Sequence, residues 1–276
     1  MHISMTHNFK HLLTSGCSFT AWTEPCWAHW LGIELDIPLQ NFGKPSAGNS
    51  WIAKTAIYGT QRLLDDGADP DDILVAVMWS GIDRKDVFIS NETPGYTELL
   101  NSQEAQEANP VRFIDKKNDD SGWHISTSDG YLLGSMGCGF ANEHINTFKR
   151  TLIRDYYCDE ALAIESYENF LRLQWYCKSK KIRLVNMTYM DLLHYPKYKY
   201  FKITKELTYE HFENIKHLYD MIDFDDWIFW DKTRGLFEYV RDNKLPFLLD
   251  GFHPSSVASE HFVKNYLIPK LWQNYL

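Results

Sequence analysis

The sequence has no apolar run that approaches the roughly 20 residues a helix needs to cross a bilayer. We therefore expect no membrane-spanning segment and no membrane partner. The apolar stretch ahead of Cys17 is short and is interrupted by Lys10 and His11. We accordingly interpret the start of the chain as mature sequence and not as a signal peptide.

The sequence has few cysteines, and their number and spacing do not indicate a cross-linked fold. The five cysteines are an odd number, and no two of them form a Cys-x-x-Cys pair. This argues against a disulfide framework and against a zinc ribbon, and it favours a reducing, cytoplasmic compartment. His211 and His217 are six residues apart and do not share a helix face as an i, i+4 pair would. We predict no metal and no organic cofactor.

Positive charge is also in short supply, with 28 Lys and Arg against 37 Asp and Glu and a formal net charge of −9. Proteins that bind nucleic acid through its phosphates are normally basic, so nucleic acid is not expected as the main partner. The acidic run at 65–72 lacks the ligand spacing of a calcium loop, and we interpret it as a solvated turn. Apolar residues make up 44% of the 276 residues, which is enough to bury the core of one large domain.

Short apolar runs alternate along the chain with longer segments of helical periodicity. Strands are predicted at 11–16, 37–43, 72–81, 181–189 and 245–251, and helices at 23–35, 50–67, 141–179 and 255–276. This alternation predicts an α/β fold whose parallel sheet is covered by helices on both faces.

Two segments depart from the alternating pattern. Residues 88–140 are polar and weakly periodic, so we interpret them as an insertion with a small hairpin at 129–134. Residues 190–243 are rich in aromatics and mostly helical in pattern, and they form a possible second insertion. We treat residues 1–276 as a single domain.

Small or polar residues follow four of the predicted strands. In an open parallel sheet, ligands bind outside the carboxyl ends of the strands, so these residues should converge at one edge. They are Ser18 after the first strand, Gly48 and Asn49 after the second, Ser80, Gly81, Asp83 and Arg84 after the third, and Asp250 and His253 after the last.

This set of residues suits acyl transfer. Ser18 would attack a carbonyl carbon, and His253 would take the serine proton as general base. Asp250, three residues before His253, would orient the imidazole and stabilise its cation. Backbone N–H groups near Ser18 and at Gly48 would face the developing oxyanion.

Plainer interpretations of the same residues stay open. Ser18 is also a suitable N-cap for a following helix, and Gly48 is also suitable for a tight turn. Asp83 and Arg84 are equally well explained as a surface ion pair.

Three stretches of the chain resemble sequence blocks of the SGNH (GDSL-type) hydrolases. LLTSGCSFT resembles the first block, NFGKPSAGNS the second and DGFHPS the last. The resemblance implies a three-layer α/β/α sandwich with a flavodoxin-like parallel sheet, and it implies that Gly48 is an oxyanion glycine. GCSFT together with the third block is similar to divergent members often encoded by bacteriophages, which would make a virion location a second expectation.

The chain departs from the family pattern at two positions. Cys17 stands where the family has an aspartate that is not a triad member. Ile82 stands where the family has an asparagine that donates to the oxyanion. Loss of one such donor typically slows an enzyme about 100- to 1,000-fold. Ser80, the Gly81 N–H and Arg84 are the candidate replacements.

We therefore predict a serine esterase that removes a small acyl group, such as acetyl, from a carbohydrate or another polar molecule. Its partner would be a small-molecule or glycan ester. The rival hypothesis is a non-catalytic SGNH-like module with a binding or structural role, supported by the missing asparagine. A third hypothesis makes the aromatic insertions an oligomer interface.

Overall fold

The computed structural model describes residues 9–45, 47–82, 84, 86–90, 131–135, 159–193 and 213–275. In chain order its elements are β1 (His11–Gly16), α1 (Trp27–Leu35), β2 (Leu39–Asn41), α2 (Asn49–Asp65), β3 (Ile73–Trp79), β4 (Asp86–Ser90), β5 (Tyr131–Ser135), α3 (Asp159–Lys180), β6 (Arg183–Thr188), α4 (Lys216–Asp220), α5 (Leu236–Asp242), α6 (Ser256–Phe262) and α7 (Ile268–Tyr275). A π-helical turn, Val263–Leu267, joins α6 to α7.

Four strands form a parallel sheet in the order β2-β1-β3-β6, which confirms the predicted α/β fold. All seven residues of β3 are buried, as expected for a continuous apolar run in the middle of such a sheet. In β1, Leu12 lies near Gly32 of α1, whereas Leu13 lies near Gly59 of α2. The two helices α1 and α2 thus pack against successive residues of β1.

The predicted strand at 245–251 is wrong. Pro246 has no N–H to give to a ladder, and the chain turns back on itself instead. The Leu248 N–H donates to the His253 carbonyl (2.8 Å) and the Gly251 N–H to the Leu248 carbonyl (2.9 Å). Gly251 takes a positive φ of 68° within this loop, a conformation that favours glycine. The segment is therefore a self-contained loop that precedes α6.

The predicted hairpin at 129–134 is also wrong. Tyr131–Ser135 is one strand, β5, and it pairs antiparallel with β4, which is Asp86–Ser90. A strand that continues through residue 134 leaves no room for a turn within that stretch. Nearly all the rest of 88–140, and the predicted helical residues 141–158, lie outside the described residues.

The described part of the 190–243 segment packs into the core. Trp227 pairs with Asn186 of β6 in a parallel bridge, and the Ile228 N–H donates to the Asn186 carbonyl (2.8 Å). Trp227, Ile228, Leu236 and Val240 are buried. The insertion boundaries themselves stay predictions. Within the ranges described, no helix is both long and apolar enough to span a bilayer.

Candidate active site

Ser18 lies in a tight turn at the carboxyl end of β1. The N–H groups of Thr20 and Ala21 both donate to the Cys17 carbonyl, at 2.8 and 3.2 Å. Helix α1 begins only at Trp27, with Cys26 as its N-cap. The alternative that Ser18 is a helix cap is therefore wrong, and the helix predicted over 23–35 begins later than expected.

The turn is held from two neighbouring elements through Thr20. The Asn41 side-chain amide, at the end of β2, donates to the Thr20 carbonyl (2.8 Å), and the Trp27 indole N–H donates to Thr20 Oγ1 (3.1 Å). A Cβ atom at Gly16 would lie only 2.0 Å from Thr20 Oγ1. Gly16 thus allows Thr20 to fold back over the end of β1, a role that sequence reasoning missed.

Asp250 organises the loop that carries His253. Its Oδ1 accepts the backbone N–H groups of Phe252 (2.8 Å) and His253 (2.9 Å). Its Oδ2 lies 2.5 Å from His253 Nδ1. One carboxylate therefore both shapes the backbone turn and orients the imidazole.

The loop places the other imidazole nitrogen against the serine. His253 Nε2 lies 2.7 Å from Ser18 Oγ. With its Nδ1–H directed at Asp250, a neutral His253 presents the Nε2 lone pair to the serine O–H. Ser18 is only 6% exposed, and the His253 side chain is 14% exposed. The predicted catalytic residues thus meet in a continuous Ser–His–Asp chain of hydrogen bonds.

Asp250 is ionised at neutral pH. Partial burial acts to raise the pKa of its carboxyl group, but hydrogen bonds from the Phe252 N–H and from His253 outweigh burial and lower that pKa. A carboxylate that keeps its charge can stabilise the imidazolium that forms when His253 takes a proton.

Aromatic rings surround the imidazole on three sides. The Trp22 indole is stacked on it, with centroids 4.3 Å apart, and the Phe19 and Phe252 rings each lie 5.3 Å away. Phe252 in turn contacts Phe19 and Phe237 edge-on or tilted, each at 5.3 Å. Sequence reasoning missed Trp22, because nothing in the local pattern shows which distant ring it will cover.

Comparisons with known proteins add no family to this geometry. No protein-family model matches the chain. No curated protein and no solved structure matches it either.

The Gly48 N–H does not have the role predicted for it. It donates to Asp86 Oδ1 (2.8 Å), while the Trp51 N–H donates to Asp86 Oδ2 (2.7 Å). The predicted oxyanion contact from Gly48 is thus wrong for this structure, because the buried Asp86 carboxylate occupies the start of α2. A Cβ atom at Gly48 would lie 2.7 Å from the Arg84 carbonyl oxygen. This glycine is explained by the close approach of the chain after β3.

Asn49 is fully engaged in holding the end of β3. Its Oδ1 accepts the Ser80 N–H (2.9 Å), and its Nδ2 donates to the Ser80 carbonyl (3.2 Å) and to Ser166 Oγ (3.0 Å). Ser80 is fully buried, and among the described residues its hydroxyl has no hydrogen-bond partner. Asn49 is thus a structural link between β3 and α3, with no amide hydrogen bond left for an oxyanion.

Gly81 and Arg84 form a turn beyond β3, in which the Arg84 N–H donates to the Gly81 carbonyl (3.1 Å). The Arg84 guanidinium lies over the Tyr189 ring, 5.4 Å from its centroid. Tyr189 in turn contacts Phe19, the residue after Ser18, at 5.1 Å. Asp83, the predicted ion-pair partner of Arg84, lies outside the described residues.

Arg84 also lines a polar cavity of about 320 Å³. The cavity lies between the start of α2, the turn after β3 and the middle of α3. Among the residues that the structure describes, no cluster of His, Cys, Asp and Glu could hold a metal ion.

Proposed function

We propose that this chain is a serine esterase of the SGNH type that removes a small acyl group from a polar substrate. The single observation that supports it best is the hydrogen-bond chain from Ser18 Oγ through His253 to Asp250. Residues 235 positions apart in sequence meet at 2.7 Å in this chain. A binding module has no physical need for that arrangement, so it favours the enzyme over the non-catalytic alternative.

The mechanism follows from the two imidazole contacts. As Ser18 Oγ attacks the ester carbonyl carbon, His253 Nε2 takes the hydroxyl proton, and Asp250 stabilises the resulting imidazolium. His253 then returns the proton to the leaving alcohol, which leaves an acyl group on Ser18. Water attacks this acyl-enzyme with His253 again as base, which releases the acid and restores the serine. General acid–base catalysis of this kind contributes about 100- to 10,000-fold.

The oxyanion needs donors other than Gly48 and Asn49. Within the described ranges, no group accepts the Ser18 N–H, so this N–H is available beside the nucleophile. Arg84 stays the candidate second donor in this proposal, and because its guanidinium lies over the Tyr189 ring, which contacts Phe19, the side chain would have to leave that ring to reach the oxyanion. It would replace the asparagine of the family pattern, a position where Ile82 is buried.

We also propose that the fold is a three-layer sandwich, with helices on both faces of the sheet. Leu12 and Leu13 are successive residues of a strand, so their side chains point to opposite faces of the sheet. Gly32 of α1 lies near Leu12 and Gly59 of α2 near Leu13. This supports a three-layer α/β/α sandwich of the flavodoxin-like type. A phage origin stays a prediction from the sequence resemblance.

Hydrolysis of p-nitrophenyl acetate tests the proposed function. We expect turnover by the wild type and a loss of at least about 1,000-fold in Ser18→Ala and His253→Ala. Ser179→Ala and His217→Ala change exposed residues outside the Ser18 turn and the Asp250–His253 loop. They serve as matched controls that should keep full activity. Equal rates for wild type and Ser18→Ala would support the non-catalytic alternative.

A further inference from the structure

The loop that carries Asp250 and His253 is closed on itself. The Leu248 N–H donates to the His253 carbonyl (2.8 Å), and the Ser255 N–H, directly ahead of α6, donates to the Pro246 carbonyl (3.2 Å). Asp250 adds a further internal bond by accepting the His253 N–H (2.9 Å). These bonds fix the shape of the loop, but they do not fix its distance from the nucleophile.

The segment between Ser18 and α1 is closed in a similar way. The Cys26 thiol donates to the Thr20 carbonyl (2.6 Å), and the Trp27 indole N–H donates to Thr20 Oγ1 (3.1 Å). Glu24 lies within this closed segment, six residues after Ser18. The site is therefore built from two closed units that come from opposite ends of the chain, and its geometry depends on how the two units are joined.

Two hydrogen bonds join these units at Ser256, the first residue of α6. The Ser256 N–H donates to Glu24 Oε2 (3.1 Å), and the Trp30 indole N–H of α1 donates to Ser256 Oγ (3.2 Å). We call Glu24, Trp30 and Ser256 the clamp. Ser256 lies only three residues after His253. The clamp thus connects points that are close in sequence to both partners of the Ser18–His253 hydrogen bond.

The Glu24 bond is not needed to bury or to cap α6. The Ser256 N–H is one of the first N–H groups of the helix, which have no acceptor within it. Ser255 is the N-cap residue, and its side chain accepts the Ala258 N–H (3.2 Å). Glu24 is exposed and Ser256 is half-buried, so water could accept the same N–H. The distinctive contribution of Glu24 is therefore the link that it makes across the site.

We propose that Glu24 is a positioning residue that, through the clamp, sets the distance between Ser18 Oγ and His253 Nε2. The proposal rests on the esterase function above. Proton transfer needs a heavy-atom distance of about 2.6–3.2 Å, and the observed distance is 2.7 Å. A misplacement of about 1 Å can cost about 100-fold in rate. When the clamp is opened, the loop moves as one unit, which keeps the Asp250–His253 bond but lengthens the contact with Ser18.

Turnover of p-nitrophenyl acetate measures the effect of the clamp. Glu24→Ala should lower kcat about 10-fold and leave KM within about 2-fold, because the aromatic contacts of the loop remain. Glu24→Gln keeps a carbonyl oxygen that can accept the Ser256 N–H, so it should recover kcat to within about 2-fold of the wild type. Glu34→Ala removes the same charge from α1, where Glu34 contacts Lys264 in the turn beyond α6 (3.4 Å). This matched control should keep wild-type kcat.

Ser256→Pro removes the donor of the same hydrogen bond. Ser255 has extended backbone angles (φ −66°, ψ 165°), as a residue before proline requires, and the first position of a helix accepts proline. Ser256→Pro should lower kcat about as much as Glu24→Ala, and more than Ser256→Ala, which loses only the Trp30 contact. The double variant Glu24→Ala/Ser256→Pro should be no slower than Ser256→Pro, because both changes break one bond.

Hydrogen exchange separates positioning from a loss of structure. The Leu248 and Gly251 N–H groups donate within the loop, so Glu24→Ala should leave their exchange rates within about 2-fold of the wild type. The midpoint of thermal unfolding should fall by no more than about 4 °C. A lower kcat accompanied by faster exchange at these two amides would give Glu24 a merely structural role and would overturn the proposal.

The failure of the clamp and the failure of the esterase give different results. If the wild type hydrolyses p-nitrophenyl acetate and Glu24→Ala does so equally well, the clamp is refuted and the esterase survives. The clamp is also refuted if Glu24→Gln is as slow as Glu24→Ala, or if the double variant is slower than Ser256→Pro. A folded wild type without turnover refutes the esterase, and the positioning role of Glu24 with it.

Discussion

The indole of Trp22 lies parallel to the imidazole of His253, with ring centroids 4.3 Å apart and ring planes 10° apart. Trp22 is 41% exposed, and it covers the solvent side of the imidazole while Phe19 lies on another side. Stacking limits rotation of the imidazole away from Ser18. The negative π-face of an indole would also favour the positive charge that the proposed mechanism places on His253. In the proposed mechanism, Trp22 is therefore a positioning residue for His253.

We predict that Trp22→Ala lowers kcat for p-nitrophenyl acetate about 10-fold with little change in KM. Trp22→Phe keeps a stackable ring and should recover most of the loss. Steady-state kinetics of both variants, with thermal unfolding to verify folding, decide the matter. Wild-type kcat in a folded Trp22→Ala would contradict the positioning role, as would a loss that Trp22→Phe does not repair.

Asp250→Asn should lower kcat about 100- to 10,000-fold, because an amide cannot stabilise the imidazolium and favours the wrong tautomer of His253. The Asp250 side chain is 41% exposed, so we expect only a small change in the free energy of unfolding. Activity and urea unfolding of the same preparation measure both. A variant with kcat close to that of the wild type would show that Asp250 has no part in catalysis.

The lowered pKa of Asp250 determines how its contribution to the free energy of unfolding changes at acid pH. Burial opposes ionisation, but the hydrogen bonds from Phe252 and His253 outweigh it. The stabilising contribution of the carboxylate is therefore fully present above its ordinary pKa of about 3.9 and is lost as pH falls through the lower folded value. The difference in unfolding free energy between wild type and Asp250→Asn should thus fall only on the acid side of about pH 4. A difference that falls already between about pH 7 and pH 5 would contradict this assignment.

Phe252 anchors the loop that carries Asp250 and His253 to the core through its contacts with Phe19 and Phe237. Phe252→Ala should reduce stability by about 1–3 kcal/mol, less than a fully buried phenylalanine would cost, and should lower kcat as the loop loosens. Leu249→Ala changes a fully exposed side chain of the same loop and is the matched control. Urea unfolding and kinetics on both variants make the comparison. Equal effects from the two changes would remove Phe252 from its anchoring role.

Lys44 leads to a prediction about the free energy of unfolding above neutral pH. Burial lowers the pKa of its ammonium group to about 8, although the Asp86 charge acts in the opposite direction. Between about pH 8 and its ordinary pKa of 10.5, the folded protein binds fewer protons here than the unfolded chain. The contribution of Lys44 to the free energy of unfolding therefore rises with pH across that window.

Lys44→Met removes this titration. The wild type should accordingly gain stability relative to Lys44→Met as the pH is raised from about 7 to about 10. Urea unfolding of both proteins at the two ends of the window provides the measurement. Parallel pH profiles would show that Lys44 titrates normally in the folded chain.

The sequence predicted that Ser18, Asp250 and His253 come together better than it predicted the residues that support them. The three could be chosen as candidates because two of them share one short loop and the third follows a buried strand. The oxyanion prediction for Gly48 failed because Asp86 reaches the start of α2 only after the chain has left β3 and turned. Such a long-range contact has no signal in a local pattern.

Helices and strands were predicted well where the apolar pattern is strong. They were predicted poorly where proline and glycine determine the backbone conformation. The strand Ile73–Trp79 follows from its continuous apolar run. The segment 245–251 has a similar apolar content, but Pro246 and the positive φ of Gly251 make it a loop. Trp22 could not be assigned from sequence, because its partner His253 comes next to it only when the two ends of the chain meet in the folded protein.

Covalent labelling with a fluorophosphonate probe tests the central claim most directly, namely that Ser18 is a nucleophile activated by His253. Intact mass should show a single adduct, and peptide mapping should place it on Ser18 and not on the adjacent Cys17. Ser18→Ala should not react, and His253→Ala should react at least about 100-fold more slowly. A folded wild type that forms no adduct, or one whose labelling is unaffected by His253→Ala, would contradict the account.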